Sequence, residues 1–146
     1  MALGNSNPYA AYQNTGIKTA SPGQLVVKLY QGAIKEINAA DDCFTDGDVV
    51  PAARIESFGK HLSKAQEIIG ELEGSLNMDE GGQIAKNLLS LYIYFNQELK
   101  NVLIQRDRKK LGFVSDMMKQ LGDAWATAAS TTPTTNVAQP AVSIEG

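Results

Sequence analysis

Four stretches of this sequence carry apolar residues at alternating spacings of three and four, which is the period of an amphipathic helix. Runs of alternating β-branched residues, which would indicate strands, are missing between them. The fold class is therefore predicted to be all-α. The four apolar stripes are Val26, Tyr30, Ala33, Ile37, Ala40 and Phe44; Ile55, Phe58, Leu62, Ala65, Ile69 and Leu72; Ile84, Leu88, Leu91, Phe95, Leu99 and Val102; and Leu111, Val114, Met118, Leu121 and Trp125.

Capping residues predict where these helices begin. Ser21 followed by Pro22 suits the cap and the first position of the first helix. Asp48 followed by Pro51 restarts the chain as a second helix, and Asp107 caps the fourth. Because such short connections favour antiparallel neighbours, the predicted architecture is an antiparallel, up-down-up-down four-helix bundle.

Composition divides the chain into three parts. Residues 1–20 are rich in Asn, Gly, Ala and Tyr and have no sustained period, so we predict a flexible N-terminal arm. Residues 21–128 hold the bundle, which at this size and with 43% hydrophobic residues can bury a core as one domain. Residues 129–146 are rich in Ser, Thr and Pro, and we predict a disordered tail.

Charge and cysteine content limit the possible partners and the compartment. A net charge of −3 gives no electrostatic reason for binding nucleic acid or an anionic membrane surface. The apolar runs are too short for membrane insertion, and the first residues lack the pattern of a signal peptide. The single cysteine, Cys43, cannot form an intramolecular disulfide, which is typical of a reducing environment. We therefore expect a cytosolic protein.

Groups for catalysis or metal binding are sparse. His61 is the only histidine, and its neighbours at helical spacing supply neither a general base nor a second ligand. Glu67, Glu71 and Glu73 lack an accompanying Glu-x-x-His motif. The pair Gly81-Gly82 lacks the Gly-Lys-Ser/Thr of a phosphate loop and is predicted to be a tight turn. The sequence therefore predicts no enzyme, no cofactor and no metal.

The third stretch has more apolar residues than one core-facing stripe needs. Ala85, Leu89, Tyr92, Ile93 and Leu103 extend its stripe around the helix, as Ile68 does beside Ile69 in the second stretch. A helix that is apolar on more than one face must be covered by another segment or another chain, unless the core stripe is simply wide. Periodicity alone leaves both explanations open.

Several motifs, taken together in their order and spacing, resemble one family over nearly all of the helical region. They are Tyr9, Tyr12 and Gln13; Thr19-Ala20-Ser21-Pro22; Leu29-Tyr30-Gln31-Gly32-Ala33-Ile34; Lys64-Ala65-Gln66; Ile68-Ile69; Glu71-Leu72; Gly81-Gly82 through Leu91-Tyr92; and Ala124-Trp125. The family is that of the FliS-type flagellar secretion chaperones. Gln31, where an acidic residue is usual, and Gly122, where a larger polar residue is usual, depart from its pattern without touching the apolar stripes.

The resemblance implies a function. Such chaperones are antiparallel four-helix bundles that bind the disordered C-terminal segment of flagellin in the cytosol. Binding prevents premature polymerisation and keeps flagellin competent for flagellar type III secretion. For some members it also implies contacts with an anti-sigma factor or with the export apparatus. Two alternatives from other classes are a carboxylate or metal-binding helical-bundle enzyme and a self-assembling structural bundle.

The candidate site follows from the surplus apolar surface. We predict a groove on the flanks of the third helix and the facing side of the second, where apolar anchors of a bound helix would fit. We also predict that the N-terminal arm caps this groove in the free protein, because tyrosine rings are apolar with a polar edge. The predicted groove residues are Ile68, Ala85, Leu88, Leu89, Tyr92 and Leu103, and the predicted cap residues are Tyr9, Tyr12 and Gln13.

Overall fold

The computed structural model describes residues 22–131. Over this range the chain forms four helices, α1 (Pro22–Asp41), α2 (Ile55–Gly74), α3 (Met78–Gln105) and α4 (Arg108–Thr131), and a 3-10 turn at Ala52–Arg54 leads into α2. No strand occurs within the described range. The predicted all-α fold is confirmed.

The four helices form a closed ring. Each helix packs against its neighbour in the chain, and α4 packs back against α1. With the short connections between them, this gives the up-down-up-down order that the sequence predicted. The four interfaces are unequal, because α1 and α2 approach each other over the greatest length whereas α3 and α4 approach least.

The helix ends show which capping predictions hold. The backbone amides of Lys109 and Lys110 donate to Asp107 Oδ1 at 3.0 and 3.2 Å, so Asp107 caps α4 as predicted. The prediction for Asp48 was wrong in detail. Asp48 lies in the preceding loop with φ 57°, and α2 instead begins after the 3-10 turn that follows Pro51. Ser21 lies outside the described residues.

Helix α3 begins with a kink at Gly82. This residue has φ 55° and ψ −139°, a backbone conformation that residues with a Cβ rarely adopt. Before the kink, Asn77 caps the first turn by accepting a hydrogen bond from the Glu80 amide at 3.0 Å. The tight turn predicted before the third helix is thus a kink at Gly82 inside α3, which already begins at Met78.

The centre of the core is an aromatic cluster formed by three helices. The hydroxyl groups of Tyr30 in α1 and Tyr92 in α3 are hydrogen-bonded at 2.6 Å, and the Trp125 ring of α4 lies 6.4 Å from that of Tyr30. All three side chains are buried. Burial raises the pKa of Tyr30 to about 12, and burial followed by the proximity of Tyr30 raises that of Tyr92. Both phenols are therefore neutral at physiological pH.

Arg108, the first residue of α4, connects three segments at the end of the bundle where α3 passes into α4. Arg108 Nε and Nη2 donate to the two carboxylate oxygens of Asp41 at 2.9 and 3.2 Å, and Nη1 donates to Asp48 at 2.9 Å. Its guanidinium carbon lies 5.1 Å from the centre of the Phe44 ring. Hydrogen bonds to Asp41 and then Asp48 raise the pKa of Arg108, so it is always charged. Arg108 therefore links the end of α1, the following loop and the start of α4.

The predicted domain limits lie close to these helix ends. Helix α4 continues to Thr131, slightly beyond the predicted end of the bundle at residue 128. The predicted arm (1–20) and almost all of the predicted tail (129–146) lie outside the described residues.

Candidate partner-binding surface

One flank of α3 packs against α2. Residues seven apart share a helix face, so Leu89, Asn96 and Leu103 form one line along α3. Asn96 Nδ2 donates to the Gln66 carbonyl at 3.3 Å, and Gln66 Nε2 donates to the Asn96 carbonyl at 3.2 Å. A Cβ placed on Gly59 would lie 3.7 Å from Leu103 Cδ1. We call this line and the facing residues of α2 the α2–α3 seam.

Two large apolar side chains stand exposed beside the α2–α3 seam. Ile93 is 47% exposed and Ile104 is 65% exposed. By helical phase they lie further outward on the same flank as Leu89 and Leu103. This flank therefore presents apolar surface that the bundle itself does not cover.

The opposite flank of α3 faces α4 and also carries exposed apolar side chains. Tyr94 of α3 is 41% exposed and Phe113 of α4 is 49% exposed, and their rings meet edge to face at 6.4 Å. Four half-buried apolar residues lie beside this pair along the two helices and pack against the core. We call these six residues the α3–α4 seam: Ile84, Leu91, Tyr94, Phe113, Met117 and Leu121.

The surface of α3 also carries little charge. Between residues 83 and 105 only Lys86, Glu98 and Lys100 are ionisable at neutral pH. Helix α2 is shorter than this stretch but carries twice as many charged side chains, which are Glu56, Lys60, Lys64, Glu67, Glu71 and Glu73. An apolar helix surface flanked mainly by amides and hydroxyls suits an uncharged, amphipathic partner segment.

The six predicted groove residues do not lie on one surface. Leu89 and Leu103 are half-buried on the α2–α3 seam. Ile68 is half-buried on the other flank of α2, where a Cβ placed on Gly32 of α1 would lie 3.4 Å from its Cδ1. The other three side chains are buried in the free protein, namely Ala85 (1% exposed), Leu88 (9%) and Tyr92 (1%). A partner-binding role for the six residues stays a prediction.

Sequence reasoning missed part of the exposed apolar surface. Tyr94, Ile104 and Phe113 were not among the predicted groove residues. Phe113 offered a signal, because it stands off the α4 stripe of Leu111 and Val114 and so had no place in the core. The predicted cap residues Tyr9, Tyr12 and Gln13 lie outside the described residues.

The chain's one histidine and one cysteine, both candidates for catalytic or metal-binding groups, make structural contacts instead. His61 Nδ1 and Glu36 Oε1 lie 2.8 Å apart and join α2 to α1. Cys43 is buried, with its Sγ 3.5 Å from the Ala39 carbonyl oxygen. Within residues 22–131, no three His, Cys, Asp or Glu side chains come together in a way that could hold a metal ion. None of the helices in that range has the length and apolarity needed to span a membrane.

Comparison with known proteins identifies the family. A family model described as "Flagellar protein FliS" matches residues 5–132. The chain belongs to the FliS family. The flagellar secretion chaperone FliS of Bacillus subtilis is 33% identical over 122 residues, which cover 84% of this chain and 86% of the relative.

Two further relatives carry the same name. The flagellar secretion chaperone FliS of Salmonella typhimurium is 32% identical over 112 residues, covering 76% of this chain and 78% of the relative. That of Vibrio cholerae is 30% identical over 109 residues, covering 75% and 76%. These relatives are named as chaperones and not as enzymes, and they support a chaperone role in flagellar export for this FliS chain.

Proposed function

We propose that this protein is a cytosolic export chaperone that binds the C-terminal segment of flagellin. Binding would prevent premature polymerisation and keep flagellin competent for flagellar type III secretion. Membership of the FliS family supports an export role. The observation that carries the proposal for a disordered substrate is the uncovered, charge-poor apolar surface on both flanks of α3.

The flanks of α3 suit a segment that folds as it binds. Ile93 and Ile104 are exposed on one flank and Tyr94 on the other, so apolar anchors of a partner would find sites on both sides of the helix. Ordering such a segment costs about 2 to 5 kcal/mol or more, which moderates the affinity gained from a large buried area. Binding of this kind is strong enough for capture and weak enough for release without ATP.

The six residues predicted from the sequence keep distinct roles in this proposal. Leu89 and Leu103 are direct contacts on the α2–α3 seam. Ala85, Leu88 and Tyr92 support that surface from beneath, and Ile68 holds α2 against α1. An Ala85→Glu variant tests this division, because a charge at a supporting position unfolds the bundle, whereas at a contact position it abolishes binding without lowering the melting temperature.

We further propose that the N-terminal arm caps the binding surface through Tyr9, Tyr12 and Gln13. A self-occupied site lowers apparent affinity by the fraction of molecules in which the site is open. Deleting residues 1–16 should therefore tighten flagellin binding and increase self-association of the free protein. Unchanged affinity together with unchanged self-association would rule out the cap.

Binding to full-length flagellin, compared with flagellin that lacks its C-terminal segment, tests the main proposal. We expect co-purification with the first and not with the second, and equal binding to both would contradict the proposal. Tyr94→Asp should abolish binding while the chain stays folded, because this side chain is already 41% exposed. Val49→Asp is the matched control, since Val49 is a 58% exposed apolar residue in the loop between α1 and α2.

A further inference from the structure

The α3–α4 seam is an incompletely covered apolar surface. Its helices approach each other less than any other neighbouring pair, and four of its side chains are only half-buried although they pack on the core. Tyr94 and Phe113 stand exposed at its end nearest the turn between α3 and α4. The polar side chains along its edges include Asn87, Ser90 and Gln120, so much of its border is uncharged. A segment that covers this seam must be apolar, narrow and nearly free of charge.

Residues 132–146 have this composition. They include Val137, Val142 and Ile144, and their polar residues are Thr, Asn, Gln and Ser with a single charge at Glu145. Pro133 stands two residues after the end of α4, and a proline inside a helix removes a hydrogen bond and clashes with the preceding turn. The sequence therefore predicts that the chain leaves the axis of α4 here, close to the seam of which α4 is one wall.

The length of this segment matches the seam. From Thr131 back to Leu121 and Phe113 the helical rise is about 15 and about 27 Å. An extended chain from Thr131 forward to Val137 and Val142 reaches at most about 20 and about 36 Å. After a turn of two or three residues, the remaining extended chain spans about 10 to 14 Å to Val137, just short of Leu121, and about 26 to 32 Å to Val142, level with Phe113.

We propose that residues 132–146 fold back antiparallel to α4 and occupy the α3–α4 seam, with Val142 against Tyr94 and Phe113. The N-terminal arm, proposed above to cap the binding surface, is the alternative occupant, and the test below distinguishes the two segments. The proposal concerns the free chain and does not depend on flagellin. It adds a second internal cover beside the proposed cap, on the flank of α3 that faces α4.

Disulfide trapping in the full-length chain tests this placement. Val142→Cys is combined with Phe113→Cys in one variant and with Ile93→Cys in a matched control. Phe113 and Ile93 are similarly exposed, at 49% and 47%. Phe113 belongs to α4 and lies beside one flank of α3, whereas Ile93 lies on the other flank of α3. With oxidised glutathione as the oxidant, we expect an intramolecular bond between positions 142 and 113 and little between 142 and 93. Peptide mass spectrometry separates these bonds from any that involve Cys43.

Each other result overturns the proposal. Equal bond formation in both variants means that the segment has no preferred site. A bond that links two molecules at position 113 assigns the seam to a second copy of the chain. A bond between Tyr12→Cys and Phe113→Cys, at the expense of the bond from position 142, assigns it to the N-terminal arm.

Thiol reactivity gives a second test that requires no disulfide. Ending the chain after Thr131 should raise the rate at which a maleimide labels Phe113→Cys by several-fold and leave the rate for Ile93→Cys unchanged. Equal rates at position 113 in the full-length and shortened chains would also overturn the proposal. A flagellin-binding assay plays no part in either test, so the proposed function and this inference can fail independently.

Discussion

The α1–α2 interface and the α3–α4 seam are made by the same kind of helix, yet only the first is closed. In the α1–α2 interface, Gly32 leaves space for Ile68, and His61 meets Glu36 at 2.8 Å. In the α3–α4 seam, Tyr94 and Phe113 meet edge to face and remain over two-fifths exposed. One pair of helices thus secures the fold, and the other leaves apolar surface available for a partner or for the chain itself.

Residue size at the flanking positions accounts for this difference. A glycine lets two helix backbones approach, whereas large aromatic residues on both helices hold them apart. Once α3 and α4 are held apart, the half-buried residues between them stay partly accessible. The residues that flank a helix pair can therefore either close the interface or leave its apolar surface accessible, depending on their size.

The largest expected difference between the two regions is in the cost of removing a phenylalanine ring. Phe58 is fully buried and packs edge to face on Phe44 at 5.4 Å, so Phe58→Ala should cost about 3 to 5 kcal/mol. Phe113→Ala should cost at most about 1.5 kcal/mol, since it loses mainly one exposed ring pair. Urea unfolding measures both. A Phe113→Ala cost equal to that of Phe58→Ala would show that the α3–α4 seam belongs to the core.

Backbone conformation should distinguish the start of α3 from the middle of α2. Gly82→Ala should lower stability by about 1 to 3 kcal/mol, because Gly82 has φ 55° and ψ −139°. Gly70→Ala is the control, since Gly70 is helical and, apart from its chain neighbours and the adjacent helix backbone, nothing lies within 4 Å of a Cβ placed there. That change should stabilise the protein by about 0.5 to 1 kcal/mol. A loss of stability in Gly70→Ala would mean that another segment packs against α2 at this position.

The Tyr30–Tyr92 hydrogen bond links the closed side of the bundle to α3. Tyr92→Phe leaves a buried Tyr30 hydroxyl without its tyrosine partner and should cost about 1 to 3 kcal/mol. The double variant Tyr30→Phe/Tyr92→Phe should cost less than the sum of the two single changes, because both buried polar groups are then removed. A double-mutant cycle measured by urea unfolding gives the coupling energy, and strict additivity would show that the hydroxyl groups do not interact.

The same two phenols predict a loss of stability in alkali. The pKa of Tyr30 is about 12 in the folded protein against 10.0 when unfolded, and that of Tyr92 is also raised. Above pH 10 the unfolded chain loses these protons first, so stability should fall as pH rises from 10 towards 12. Urea unfolding at about pH 9 and about pH 11 measures the fall. If the double phenylalanine variant loses as much stability over this range, the two phenols are not the cause.

The smallest expected effect concerns the charged surface of α2, which contrasts with the charge-poor surface of α3. Burial, and then the nearby Glu67 carboxylate, raise the pKa of Glu71 above 4.5. The charged form is therefore disfavoured in the folded protein, and Glu71→Gln should raise the melting temperature slightly at neutral pH. This gain should shrink as pH falls from the raised pKa towards 4.5, because below 4.5 Glu71 is protonated in both the folded and the unfolded state. Glu56→Gln, at a largely exposed side chain, should change little.

The four helices were predictable from the sequence because each presents a sustained apolar period. The Asp107 cap was predictable for a similar reason, since capping needs only residues adjacent in the chain. The loop before α2 was less predictable. Asp48 looks like a cap in sequence, but its position is fixed by Arg108, which lies far away in the chain.

The candidate binding surface was harder to predict, because α3 is apolar around most of its circumference. Leu91 was assigned to the core and Tyr92 to a flank, whereas the structure buries Tyr92 and leaves Leu91 half-buried. The choice depends on a hydroxyl partner in α1 that no local pattern reveals. In the same way, the position of Ile68 depends on Gly32, and the partner of His61 is a carboxylate of another helix.

Arg108 has a mechanical consequence for the α3–α4 seam. It fixes the first residue of α4 to Asp41 and Asp48, and the two-residue turn before it fixes the end of α3 at the same place. Because α4 is held at its first residue, it can tilt only about that end. Any widening of the seam must therefore increase towards Thr131. For a helix of about 36 Å, a tilt of about 5° moves the free end by about 3 Å and the held end hardly at all. The helices α3 and α4 are therefore fixed to each other near Arg108, and they can separate most at the opposite end, where α3 has its kink at Gly82.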